Sequence, residues 1–147
     1  MSDTESLDAI IHALYATVSG PAGAERDTPG MRDLFMPGAH LVRTSVAEDG
    51  TPQAKVMDVE GYVRDTADYF RGNGFYEVEI ARRTDLFGQI AQVFSTYEAR
   101  NDRSEAEPFK RGINSIQLFN DGNRWWVVNV LWDNEREDNP LPSQYLP

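Results

Sequence analysis

The ten residues Arg124-Trp-Trp-Val-Val-Asn-Val-Leu-Trp-Asp133 decide how this chain folds. Between its charged ends the stretch is almost wholly apolar, rich in the aromatic and β-branched side chains that suit a pleated surface, and short enough to be one strand. A strand that is apolar on both faces must be covered on both. The turn signal Asn120-Asp121-Gly122 precedes it. Before that turn, residues 109–119 form a second strand-like stretch, which includes Arg111-Gly-Ile-Asn-Ser-Ile-Gln-Leu118. Two more lie upstream, at 75–85 and 89–100, joined through Leu86-Phe87-Gly88, and the polar residues 101–108 complete a meander of four strands. Each stretch of about 10 to 12 residues reaches roughly 35 Å. Sheets of that length twist and curl.

Toward the N-terminus the period changes. Leu7, Ile10, Ile11, Leu14, Tyr15 and Val18 recur at helical spacing, with Ser2 and Glu5 at capping-box separation ahead of them and Gly20-Pro21 behind. Thr28 and Pro29 read as the N-cap and first residue of a short helix with Met31, Leu34 and Phe35 on its apolar face, stopped by Pro37-Gly38. Residues 40–46 and 53–57 read as a strand pair. Asp58 caps a third helix that buries Val59, Tyr62, Val63, Thr66, Ala67 and Phe70. The predicted architecture is α+β. One domain over residues 1–147 carries a cone-shaped, strongly curved antiparallel sheet, packed against about three helices and enclosing a pocket. Two short helices and one longer one cannot fill the concave face, so a cavity with an aromatic and aliphatic lining is expected.

Composition bounds the function. The 147 residues carry a formal charge of -10, which repels phosphate backbones, and no basic stripe offsets it. Arg82-Arg83 and Lys110-Arg111 read as solvated strand ends. The absence of cysteine excludes disulfides, thiolate metal sites and a cysteine nucleophile. No secretory signal or bilayer-length apolar run is visible, and the expectation is a cytoplasmic protein with neither nucleic acid nor membrane as partner.

The order helix, short helix, strand pair, helix, long meander resembles the nuclear-transport-factor-2-like (SnoaL-like) superfamily. The segments that carry the likeness are Ala9-Ile-Ile-His-Ala-Leu-Tyr15, Leu34-Phe-Met-Pro-Gly-Ala-His-Leu41, Ala91-Gln-Val-Phe-Ser-Thr-Tyr97, Arg111 to Leu118 and the closing strand. The resemblance implies a cone-shaped cavity and a homodimer formed through the outer face of the sheet. It implies no single activity, because the superfamily contains isomerases, cyclases, dehydratases and non-catalytic modules.

Candidate residues follow from which side chains enter the cone. A three-residue turn at Asn120-Asp121-Gly122 places Asn114, Ile116, Leu118, Trp126, Val128, Val130 and Trp132 on one inner face, and Trp125, Val127 and Leu131 on the outer. Asn114, Trp126 and Trp132 are therefore ligand-binding candidates, and Arg43 on the upstream strand pair is taken as a fourth. A three-residue turn at Leu86-Phe87-Gly88 sets Glu79 opposite Ser95 and Glu77 opposite Tyr97; a four-residue loop turns both acids out to solvent, the plainer reading. The catalytic candidates are Tyr15, His40, Glu79 and Tyr97. Tyr15 sits where the resemblance puts the oxyanion-stabilising tyrosine of ketosteroid isomerases, whose two carboxylic acids have no assigned counterpart here. His40 is a candidate base or proton shuttle. With no phosphate loop and no metal-ligand spacing, neither cofactor nor metal is expected. The expected ligand is a small apolar or aromatic molecule, served by cofactor-free isomerisation, dehydration or cyclisation, or by binding alone.

Overall fold

The structure, a computed structural model, describes residues 2–147. Helix α1 (Leu7–Val18) buries Ile10, Ile11, Leu14 and Val18. Its cap is Ser6, whose hydroxyl accepts from the Ala9 amide at 3.0 Å, while Ser2 bonds Thr4 instead. Each fully buried aliphatic side chain on this stripe contributes about 1.5–3 kcal/mol. Helix α2 (Thr28–Leu34) is capped by Asp27, one residue earlier than the sequence suggests, and Pro29 sits in the first turn, where its missing N–H costs nothing. The Pro37-Gly38 pair does not end that helix. Strand β1 (Phe35–Val46) already runs through it, and the pair falls in an irregular stretch between Phe35 and His40 where Gly38 takes φ +86°. Only glycine adopts that angle cheaply.

Strand β2 (Pro52–Met57) pairs antiparallel with β1. Helix α3 (Val59–Gly72), capped by Asp58, then carries the chain to the far edge of the sheet. There β3 (Tyr76–Phe87), β4 (Ile90–Arg100), β5 (Lys110–Asn120) and β6 (Trp125–Asn134) wind back as an antiparallel meander. The order is β2-β1-β6-β5-β4-β3. Because the meander returns from the opposite edge, β6 arrives beside β1 running the same way, and that pair is parallel. The sheet is thus mixed, not wholly antiparallel as expected. Among the described residues no helix is long and apolar enough to cross a membrane.

Two bulges set which side chains face the helices. The β3–β4 turn has two residues, Gly88 and Gln89, with Phe87 opposite Ile90 and Gly88 at φ +56°. Continued regularly, that register would turn Glu77 and Glu79 outward. Ile80 is an extra residue with no partner, so Glu79 falls opposite Tyr97 and Glu77 opposite Ala99, both on the inner face. In β6 the unpaired residue is Val128, between Leu118↔Val127 and Gln117↔Asn129. It reverses the expected faces at the start of the strand: Trp125 and Val127 are buried, and Trp126 points outward. Beyond the bulge Val130 and Trp132 face inward as expected.

Candidate functional site

A cavity of about 370 Å³ lies between α1, α3 and the inner face of the sheet. It exists because α3 does not close down: none of its side chains is fully buried, Val59, Tyr62, Val63 and Phe70 are only partly covered, and Ala67 is exposed. The expected buried stripe of α3 is therefore a half-open wall. Tyr69, Phe70, Phe75 and Phe109 make one side, with ring centroids 5.5–6.2 Å apart. Tyr62 meets Trp132 edge-to-face at 6.2 Å on the other. Such pairs hold a rigid apolar wall.

Glu77 is the acid in this wall. Its place is fixed at the backbone: Gly20 and Phe75 exchange two hydrogen bonds (2.8 and 3.0 Å), and the Glu77 amide donates to Ser19 Oγ at 3.1 Å, so the end of α1 anchors the start of β3. Its carboxylate accepts no hydrogen bond and makes no ion pair among the described residues, although the side chain opens into the cavity. Enclosure by aromatic side chains disfavours the charged form and pushes its pKa from 4.5 up to about 7; Lys110 opposes that shift. Lys110 also lines the cavity, with Nζ 5.5 Å from the Phe75 ring centre, and the same desolvation lowers its own pKa. Tyr62 contributes a phenol without a hydrogen-bond partner among the described residues, and burial raises its pKa. A desolvated carboxyl, a phenol and an ammonium thus share one aromatic hollow.

Tyr15 and Asn114 form the floor, joined to Glu79 by a continuous chain. Asn114 Nδ2 donates to the Tyr15 hydroxyl at 3.0 Å, that hydroxyl lies 2.7 Å from Ser95 Oγ, and Ser95 donates to Glu79 Oε2 at 2.5 Å. Arg82 grips the Glu79 carboxylate with contacts of 2.8–3.1 Å and also reaches Asp8. Residues three apart lie on opposite faces of a regular strand. The bulge at Ile80 is what brings Arg82 and Glu79 together.

These positions revise the candidates. Glu79 is clamped by Arg82 and Ser95 behind the floor and does not line the cavity. Tyr15 lines it, with its one hydroxyl proton committed within the chain. Tyr97 is 0% exposed and donates to Asn134, so it is a core pillar and not a lining residue. His40 is exposed on the outer face opposite Asn129. Trp126, turned out by the Val128 bulge, donates from Nε1 to Asp121 at 2.9 Å beneath the Arg124 guanidinium, 3.6 Å from its ring. Arg43, Asn114 and Trp132 do line the cavity, with Arg43 paired to Asp65 and 5.7 Å from the Trp132 ring.

Glu77, Lys110 and Tyr62 were not among the candidates. The signal for Lys110 was present: neighbours on a strand point to opposite faces, so one of Lys110 and Arg111 had to face inward. Arg111 is the outer one, bonded to Glu135 at 3.0 and 3.1 Å. No local signal marked the Ile80 bulge that turns Glu77 inward.

No protein-family model matches this sequence, and no curated protein matches it. Solved structures do. An NTF2-like protein of unknown function from Silicibacter pomeroyi superposes with a TM-score of 0.61 at 12% identity, covering 88% of this chain and 92% of the other. A calcium/calmodulin-dependent protein kinase II association-domain-like protein from Xanthomonas campestris gives 0.61 at 14% identity, covering 92% and 96%. A ketosteroid isomerase-like protein from Shewanella frigidimarina gives 0.51 at 13%, covering 84% and 88%. At such identities the likeness is one of fold.

Proposed function

Taking the nuclear-transport-factor-2-like fold as premise, we propose that the cavity binds a small, largely apolar or aromatic carbonyl compound and that Glu77 moves a proton on it. The observation that carries this reading is Glu77 itself, an unpartnered carboxyl in an aromatic hollow, poised near neutrality at about 7. A structural carboxylate would be paired, as Glu79 is with Arg82. The ionised Glu77 takes a proton from the carbon beside the carbonyl; the C–H electron pair moves into the C–C bond and the carbonyl becomes an enolate. The Tyr62 phenol donates to the developing oxyanion, and the Lys110 ammonium favours its charge. Return of the proton from Glu77 to the same or another carbon completes exchange or isomerisation without a cofactor. The fold shared with a ketosteroid isomerase-like protein is compatible with this chemistry.

The test is deuterium incorporation into 2-tetralone in heavy water, followed by mass spectrometry. The native protein should accelerate exchange, and Glu77→Gln should lose about 10²–10⁴-fold of that acceleration. Equal exchange by a folded Glu77→Gln variant would remove Glu77 from the chemistry. A non-catalytic binding module with the same cavity would bind the ketone and exchange nothing. The outer face of the sheet is taken, in the same reading, as a homodimer interface. Phe94 (40% exposed) and Leu131 (39%) lie there, and Tyr145 packs on Phe94 with the rings tilted by 55° and their centroids 5.3 Å apart.

A further inference from the structure

The direction of the hydrogen-bond chain under the cavity floor determines what the floor offers a ligand. Arg82 can only donate, and the carboxylate it grips, Glu79, can only accept. Ser95 must therefore spend its one proton on Glu79 Oε2. Its oxygen is then the acceptor for Tyr15, 2.7 Å away, and Tyr15 spends its one proton there. Tyr15's oxygen is left to accept, and Asn114 donates to it through Nδ2 at 3.0 Å. Each link has one proton, so the orientation fixed at Arg82 is transmitted without ambiguity to the Asn114 amide. Ser95 is 0% exposed, Tyr15 6% and Asn114 7%, which leaves little room for solvent to reset the order.

The end of the chain is the open group. Asn114 Oδ1 has no hydrogen-bond partner, and the sole enclosed, partnerless side-chain polar atom among the described residues is Arg136 Nε. The Asn114 carbonyl is therefore in contact with the cavity that its residue lines. We propose that the floor of the cavity is a hydrogen-bond acceptor, so that the ligand carries a hydroxyl or N–H on the end that reaches Asn114, and that Glu79 is a positioning residue that fixes this preference through Ser95 and Tyr15. This deepens the reading of the cavity as a small-molecule site and does not depend on proton transfer by Glu77.

The chain can be run backwards by changing one atom. In Glu79→Gln the Arg82 guanidinium still requires an acceptor, which holds the amide oxygen at the Oε1 position and turns the NH₂ group toward Ser95. Ser95 must then donate to Tyr15, Tyr15 to Asn114 Oδ1, and the Asn114 NH₂ group faces the cavity. The floor becomes a donor, three hydrogen bonds from the substitution.

The experiment compares binding of 2-naphthol, which offers a hydroxyl proton, with 2-methoxynaphthalene, which offers only an acceptor, by calorimetry. Native protein should favour the naphthol by about tenfold, the difference expected when a buried acceptor is satisfied in one complex and stranded in the other. Glu79→Gln, folded by circular dichroism, should reverse the order, and Asn114→Leu should bring the two to within about twofold. Glu77→Gln should leave the naphthol preference in place, which separates this inference from the proton-transfer assignment: ketone exchange that survives Glu77→Gln, with the preference intact, sinks only the latter. A naphthol preference that survives both Glu79→Gln and Asn114→Leu would overturn the inference. So would native protein that prefers the ether, or that binds neither compound at millimolar concentration.

Discussion

Replacing Glu77 with Gln should raise stability, and only on the alkaline side. The unfolded chain ionises Glu77 near its ordinary 4.5, whereas the folded protein holds the proton until about 7. Between those values the native state binds more protons than the unfolded state, so stability falls as pH rises through this window and stays lowered above it. That separation, at about 1.4 kcal/mol for each tenfold change in proton affinity, amounts to roughly 3.5 kcal/mol in full. Gln cannot ionise and escapes the penalty. The variant-minus-native difference in unfolding free energy should therefore climb by about 3 kcal/mol from about pH 4 to about pH 8, whatever constant offset the amide introduces. For a chain of this size that is about 10 °C in melting temperature. Lys110 trims the gain, because the Glu77 charge favours its ammonium form and is lost in the variant. The double variant Glu77→Gln/Lys110→Met isolates that contribution. Urea melts of both proteins across the window supply the assay. A flat difference between acid and alkaline pH would mean that the carboxyl is not desolvated, and the proton-transfer assignment would go with it.

Tyr97→Phe should cost about 1–2 kcal/mol by stranding its Asn134 acceptor, with ketone exchange unchanged; loss of exchange in a stably folded Tyr97→Phe would contradict its role as a core pillar. A Cβ at Gly112 would come within 2.3 Å of both the Asp133 carbonyl oxygen and the Tyr97 hydroxyl, so Gly112→Ala should destabilise by about 3 kcal/mol or more in chemical denaturation; a neutral result would mean that the two strands are farther apart than described. Leu131→Glu, on the outer face, should convert a dimer to a folded monomer by light scattering. A native protein that is already monomeric at high concentration would dismiss that interface.

Much of this molecule could be read from local pattern. The helical stripe from Leu7 to Val18, the Asp58 cap and the four extended stretches after Phe75 are short-range signals, because side-chain period and capping chemistry act over a few residues. The hollow beneath α1 followed from strand length and from the lack of helical mass to cover the inner face of the sheet. The acceptor-lined floor was half visible: Asn114 was placed inward, but its partners Tyr15, Ser95 and Glu79 lie 99, 80 and 16 residues apart along successive links.

What the sequence could not decide is which way the functional side chains face. A strand's faces are set by the parity of its register, and one extra residue inverts them. Ile80 and Val128 are such residues, and nothing in their identity separates a bulged position from a paired one. Ile80 brings Glu77 into the cavity and Arg82 onto Glu79; Val128 sends Trp126 out and Trp125 in. The composition and period of the chain determined an acidic, aromatic-cored α+β domain with a hollow. Only the pairing of strands in three dimensions, where one residue of slippage turns a carboxylate from solvent to cavity, determined that Glu77 is the acid inside it.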